Sequence, residues 1–124
     1  MNAQLSTIIL YVKDVHLLKI FYVENFNLKV IEEDPVWVLL DAGGAYIGLH
    51  KIGDQYLEEI EADHVFDNNT KTVFDIDMDI KAAKNDLVSK NVRMRDIKTF
   101  DNYPFWLCDG TDPEGNVFQL RSKK

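Results

Sequence analysis

Few residues in this chain are equipped for chemistry. There are three histidines and one cysteine in 124 residues. His50 lies in "AYIGLHKI", and Asp75 and Asp77 lie in "TVFDIDM". One imidazole and two carboxylates make an acceptable triad for a transition metal if the fold brings them together. A plainer reading makes His50 a hydrogen-bonding residue in a pocket wall, and Asp75 and Asp77 an exposed strand end. His16 falls early in a helical segment and reads as solvated. His64 falls in an acidic loop and reads as solvated or as part of a lid. Cys108, beside Phe105, Trp106 and Leu107, reads as a small packing residue. No Ser-His-Asp set, phosphate-cradling glycine loop or reactive-cysteine signature is present. One more residue stands out. Gln119 sits between Phe118 and Leu120 in the closing stretch "TDPEGNVFQLRSKK". In a strand it points away from the face those two apolar neighbours bury.

The elements that position these residues come in two similar sets. "LSTIILYV" (Leu5–Val12) reads as a strand. Asp14 then caps a helix from Val15 to about Phe26, with Val15, Leu18, Phe21 and Tyr22 on one face. "LKVIEED" is a short strand broken at Pro35, "VWVLLDA" another, Gly43-Gly44 a hairpin turn, and Ala45–Ile52 the returning strand. Residues 53–69 are acidic and lack a clear period. They read as a connecting loop with a helical turn at Leu57–Ile60, ending in the turn residues Asp67-Asn68-Asn69. The pattern then repeats. "TVFDIDM" alternates as a strand, with Phe74, Ile76 and Met78 on one side and Val73, Asp75 and Asp77 on the other. Asp79 caps a helix over "IKAAKNDLVSK" with Ile80, Ala83 and Leu87 inward, closing near Asn91. "VRMRDIK", "PFWLCD" and Val117–Arg121 are strands, the last two joined by a turn at Asp112–Asn116. Laid over each other, "GGAYIGLHK" and "EGNVFQLRS" put Gly44 on Gly115 and Gly48 on Gln119. The expected fold is α+β: one domain of two βαβββ modules, at about 5–52 and 70–122.

A four-stranded sheet under one helix buries one face and leaves the other open. Two such open faces set together would form a partly closed cup. Strand alternation assigns Thr7, Ile9 and Tyr11, then Tyr46, Gly48 and His50, then Val117, Gln119 and Arg121 to that cup. Trp37 and Trp106 are further candidates for its wall, with Asp41 as a polar anchor, although alternation leaves open whether Trp106 or Phe105 faces the cup. As a set the aromatics suit a flat ligand held by stacking.

"IILYVKD" followed by a helix carrying "FY", then "DPEGNVFQL", resembles the glyoxalase / bleomycin-resistance / extradiol-dioxygenase (vicinal oxygen chelate) superfamily. The resemblance runs from Leu5 to Arg121. It implies a cup-shaped ligand site and a homodimer. In metal-dependent members it implies four His, Gln or Glu ligands, one on the first and one on the fourth strand of each module. Those positions fall on Thr7, Gly48, Val73 (Thr72 if the register shifts by one) and Gln119. A neutral amide alone holds no divalent ion, so the expectation is no metal and no cofactor.

Composition narrows the partners. The hydrophobic share of 46% and charged share of 28% fit a globular protein. No apolar run reaches the roughly 20 residues of a membrane span, and the N-terminus lacks a signal-peptide pattern. A lone cysteine fits a reducing, cytoplasmic compartment. A formal net charge of −7 argues against nucleic acid and mildly favours a cationic ligand. The expected function is metal-independent binding of an aromatic or cationic small molecule, resembling the bleomycin-resistance branch. Two alternatives stand beside it: a lyase, isomerase or dioxygenase with a rearranged metal site around His50, or an interaction module whose cup is structural.

Overall fold

The computed structural model describes residues 2, 4–66 and 69–124. The chain forms two compact units, residues 1–64 and 65–124. Each is a four-stranded mixed sheet with a packed helix, the glyoxalase-like α+β fold expected.

Unit 1 runs β1 (Thr7–Val12), α1 (Val15–Phe26), β2 (Lys29–Asp34), β3 (Trp37–Asp41) and β4 (Tyr46–Lys51), with sheet order β1-β4-β3-β2. A short helix, α2 (Asp54–Leu57), follows. The Asp14 carboxylate accepts from Leu17 N at 2.9 Å and so satisfies one of the unpaired amides at the start of α1. The helix ends at Asn27, which takes the left-handed conformation at φ 55° and donates its N–H to the Val23 carbonyl. Its buried residues are Val15, Leu18, Phe21 and Tyr22, and it packs across β3 and β4. Val12, Val38, Leu40, Ile47 and Leu49 complete this core.

Unit 2 repeats the plan: β5 (Lys71–Asp75), α3 (Ile80–Ser89), β6 (Arg93–Lys98), β7 (Phe105–Thr111) and β8 (Val117–Lys123), in order β5-β8-β7-β6. The Asp79 carboxylate accepts from Ala82 N at 2.9 Å. Ile80, Ala83 and Leu87 are the buried residues of α3, and Asn91 turns left-handed after it at φ 62°. Among the described residues, no helix is long and apolar enough to cross a membrane.

The expected turn at Leu57–Ile60 is closed by Ile60 N on the Leu57 carbonyl at 3.1 Å, and the short helix Asp54–Leu57 precedes it, with the Gly53 carbonyl taking both Tyr56 N and Leu57 N at 2.9 Å. One local expectation needs correction. The strand expected over Thr72–Met78 stops at Asp75. Ile76 N still bonds the Arg121 carbonyl, but the chain then turns toward the Asp79 cap, and the Ser122 hydroxyl donates to the Met78 carbonyl. Asp77 therefore does not share a strand face with Asp75. The left-handed glycine is Gly43 in the first hairpin and Gly115 in the turn before β8, so the two turns differ in conformation by one residue while the strands keep Gly48 level with Gln119. Asp67 and Asn68, in the expected linker turn, lie outside the described residues. The first part of that linker is held to unit 1, where Lys13 Nζ donates to the Ala62 and His64 carbonyls at 3.2 and 2.7 Å.

The turn before β8 is built on one buried side chain. Asp112 Oδ1 accepts from Glu114 N and Asn116 N, both at 2.9 Å, and Oδ2 accepts from Asn116 Nδ2 at 2.8 Å. Gly115 completes it at φ 92°, where an added Cβ would meet the Phe66 carbonyl at 3.0 Å. Asp112→Ala should cost about 2–4 kcal/mol, well above the roughly 1 kcal/mol expected for Asp14→Ala, because buried amides lose a charged acceptor. Urea denaturation of the two variants checks the ranking.

Candidate functional site

Because side chains alternate along a strand, each core residue fixes a neighbour on the helix-free face. Strand registers place Thr7, Ile9 and Tyr11, with Tyr46, Gly48 and His50 and with Trp37, Leu39 and Asp41, on the helix-free face of unit 1. Tyr11, Trp37 and His50 gather there. The His50 ring centroid lies 5.2 Å from that of Tyr11 and 6.0 Å from that of Trp37. His50 Nδ1 is 2.7 Å from the Lys51 carbonyl, a bond that requires the proton on Nδ1 and leaves Nε2 as the basic nitrogen. Trp37 lies over Gly48, where an added Cβ would come within 2.8 Å of its Cζ3 and 3.3 Å of Ile9 Cγ1. Glycine at 48 is thus the seat of the indole. Asp41, expected as a ligand anchor, instead accepts from Gly43 N at 2.9 Å and shapes its hairpin. Tyr46 stands at the exposed edge of the face.

The helix-free face of unit 2 carries Lys71, Val73 and Asp75 of β5, Val117, Gln119 and Arg121 of β8, and Phe105, Leu107 and Asp109 of β7. Gln119 donates its amide to Asp109 Oδ1 at 2.7 Å, and Lys71 Nζ donates to Oδ2 at 2.8 Å. Asp109 is only 3% exposed. Burial works against its charge, but the hydrogen bonds from Lys71 and Gln119 outweigh that and hold its carboxyl below the usual carboxylate range. Further along the face, Arg121 grips Asp75 with two bonds, one of 2.9 Å from Nη2, and lies 4.4 Å over the Phe105 ring. That hydrogen bonding lowers the pKa of Asp75 and raises that of Arg121.

Trp106 does not share this face. It pairs with Ser122 and stands on the side of Cys108 and Phe118, so Phe105 and Leu107 are the pair on the helix-free side. Lys124 Nζ lies 5.2 Å from the Trp106 ring. Both line an open cavity of about 660 Å³ at the end of β5, with Asp75, Met78 and Arg121. Cys108 is fully buried, and burial pushes its thiol pKa up.

The donors present do not fit the metal centre implied by the resemblance. Thr7 Oγ1 pairs with Ser6 Oγ at 2.9 Å, Gly48 is covered by Trp37, Val73 is apolar, and the Gln119 amide is engaged by Asp109. Thr72, the alternative to Val73, is buried on the helix side. The registers add a correction: Gly48 pairs with Ile9 and Gln119 with Val73, so Thr7 corresponds to Lys71 and not to Val73. As for a rearranged centre, His50 has aromatic neighbours, Asp75 is held by Arg121, and no group of three or more His, Cys, Asp or Glu side chains is placed to hold a metal among the described residues. The Asp109 cluster is not among the sequence expectations. The turn at Asp112–Asn116 supplies the signal: pairing Thr111 with Val117 across it sets Asp109 opposite Gln119.

No protein-family model matches the sequence. No curated protein matches it significantly at the sequence level. Solved structures do match along the whole chain. The fosfomycin resistance protein FosX of Listeria monocytogenes superposes with a TM-score of 0.77 at 18% identity, covering 100% of this chain and 96% of that one. Lactoylglutathione lyase of Agrobacterium tumefaciens gives 0.74 at 16%, covering 98% and 94%. TnmS3, an antibiotic binding protein of a Streptomyces species, gives 0.72 at 17%, covering 99% and 98%. The fold is the glyoxalase-like α+β fold that these solved structures share.

Two outcomes follow from this geometry. Gly48→Ala should destabilise by about 1–3 kcal/mol, since the indole must move, and the same change in a Trp37→Leu background should cost much less. A double-mutant cycle by urea denaturation measures the coupling. Asp109 has a depressed folded-state pKa, so its stabilisation is complete above the unfolded carboxylate value and is lost as pH falls through the folded value. Asp109→Asn should lower stability at neutral pH and flatten its fall below about pH 4. Thermal melts across acid pH check both.

Proposed function

We propose that this protein binds a small aromatic organic molecule without a metal ion, and that the helix-free face of unit 1 holds it. The observation that carries this reading is the Tyr11–Trp37–His50 cluster, with the Trp37 indole seated over Gly48. Two rings and an imidazole offer stacking area at low entropic cost, and His50 Nε2 adds one directional acceptor. Tyr46 flanks the cluster, and Ile9 and Thr7 extend it along β1. Gln119 and Arg121, on the helix-free face of unit 2, are held by Asp109 and Asp75, and Trp106 lines the cavity at the end of β5. The donor set argues the same way, since the positions that the resemblance gives to metal ligands are here Thr7, Gly48, an engaged Gln119 and, on β5, Val73 or the register-matched Lys71. TnmS3, described as an antibiotic binding protein, supports binding of a small organic molecule as the context. The aromatic faces also accept a cationic group, which the net charge of −7 would favour. With this reading goes the homodimer that the resemblance implies, acting in a reducing cytoplasm where Cys108 stays a thiol; sedimentation measures the dimer.

Binding is tested by tryptophan fluorescence in a Trp106→Phe background, which leaves Trp37 as the reporter. Aromatic ligands, neutral and cationic, are titrated in the presence of a chelator. Saturable quenching is expected, with a thermal shift worth about 2.7 kcal/mol at 100 times the dissociation constant. Trp37→Ala should abolish the thermal shift. Binding that demands an added divalent ion, or that survives Trp37→Ala, refutes the reading.

A further inference from the structure

We infer that the helix-free face of unit 2 carries an oxyanion site, formed by Arg95 and Lys98 over the buried Asp109, that takes the carboxylate or phosphoryl group of a small organic acid. Asp109 is one negative charge, and each of its oxygens already accepts a hydrogen bond, Oδ2 from Lys71 and Oδ1 from Gln119. Two further cations nevertheless converge on it. Lys98 Nζ stands 3.7 Å and Arg95 Nη1 3.9 Å from the same Oδ2 that Lys71 holds at 2.8 Å. At those separations neither makes a normal hydrogen bond, so both keep donors for something else.

Three cations around one carboxylate leave a local surplus of two positive charges on a chain whose net charge is −7. Like charges this close repel one another, and a bound oxyanion relieves that repulsion while using the idle donors. The Lys98 and Arg95 side chains are 47% and 61% exposed, so a ligand reaches them, while the carboxylate that gathers them is fixed and dry. Backbone geometry supports the same reading. The pairing of β6 with β7 slips between Met94 and Ile97, so that one extra residue lies between the two. Met94 and Ile97 both stay on the helix side, opposite Gly110 and Cys108, and the slip frees Arg95 to join Lys98 at Asp109. Irregularities of this kind re-aim side chains beside functional sites. Asp96 shares the slipped segment and is exposed; it is the acid nearest in sequence to set against the surplus.

This inference does not rest on the aromatic reading of unit 1, and the two fail separately. The test uses the full chain, isotopically labelled, with inorganic phosphate and acetate as probes, each compared with sodium chloride at matched ionic strength. Saturable amide shifts are expected at Lys71, Arg95, Lys98 and Gln119 with at least one of the two oxyanions, together with movement of the Gln119 side-chain amide. Arg95→Gln combined with Lys98→Gln should weaken that binding by about tenfold or more. Lys98→Gln alone should give a smaller loss, and it carries the test if the double variant fails to fold. Shifts that chloride reproduces without saturation, or affinity unchanged in the variants, overturn the proposal. Fluorescence of Trp37 with aromatic ligands is a separate readout, so a negative phosphate titration leaves that reading standing.

Discussion

Each sheet has a single helix to cover it, and this constraint decides where every functional side chain goes. The covered face must be apolar, and the pleat then forces each intervening residue onto the other side. Phe118 and Leu120 are buried, so Gln119 and Arg121 emerge on the helix-free face. Ile47 and Leu49 are buried, so Tyr46, Gly48 and His50 emerge. Losing the core face of either sheet would not merely destabilise it. A slip of one residue would exchange the two faces and bury the polar set.

The same plan carries two different chemistries. On unit 1 the helix-free face is aromatic, and its central position is a glycine under an indole. On unit 2 the equivalent position is Gln119, tied to a buried carboxylate with a lysine on its other oxygen. Neither arrangement offers the several free electron-pair donors that a divalent ion requires. What they offer instead is surface for stacking in one case and fixed charge in the other.

Much of this was legible in the sequence where the determinants are local. Asp14 and Asp79 as caps, the buried triplets and quartets of α1 and α3, and Asn91 as a stop depend on residues within one or two helical turns, and the structure reproduces them. The less legible features depend on cross-strand partners. Gln119 was expected to line a hollow; its partner Asp109 lies ten residues back across a hairpin, and Lys71 comes from a different strand pair. Trp37 over Gly48 is likewise a contact between neighbouring strands. The slips in β2 and β6 have no composition signature, since Ile31, Arg95 and Asp96 suit a regular strand as well as an irregular one.

The seating of Trp37 on Gly48 also bears on how this chain can change over generations. Any larger side chain at position 48 meets the indole, so the indole must leave before that side chain can enter. A smaller residue at 37 alone would give up the edge-to-face aromatic partner of His50. Either replacement is harmful without the other, so the two substitutions form a valley that single-step mutation does not easily cross. The ring acts as a ratchet, holding position 48 to glycine for as long as the indole stays at 37.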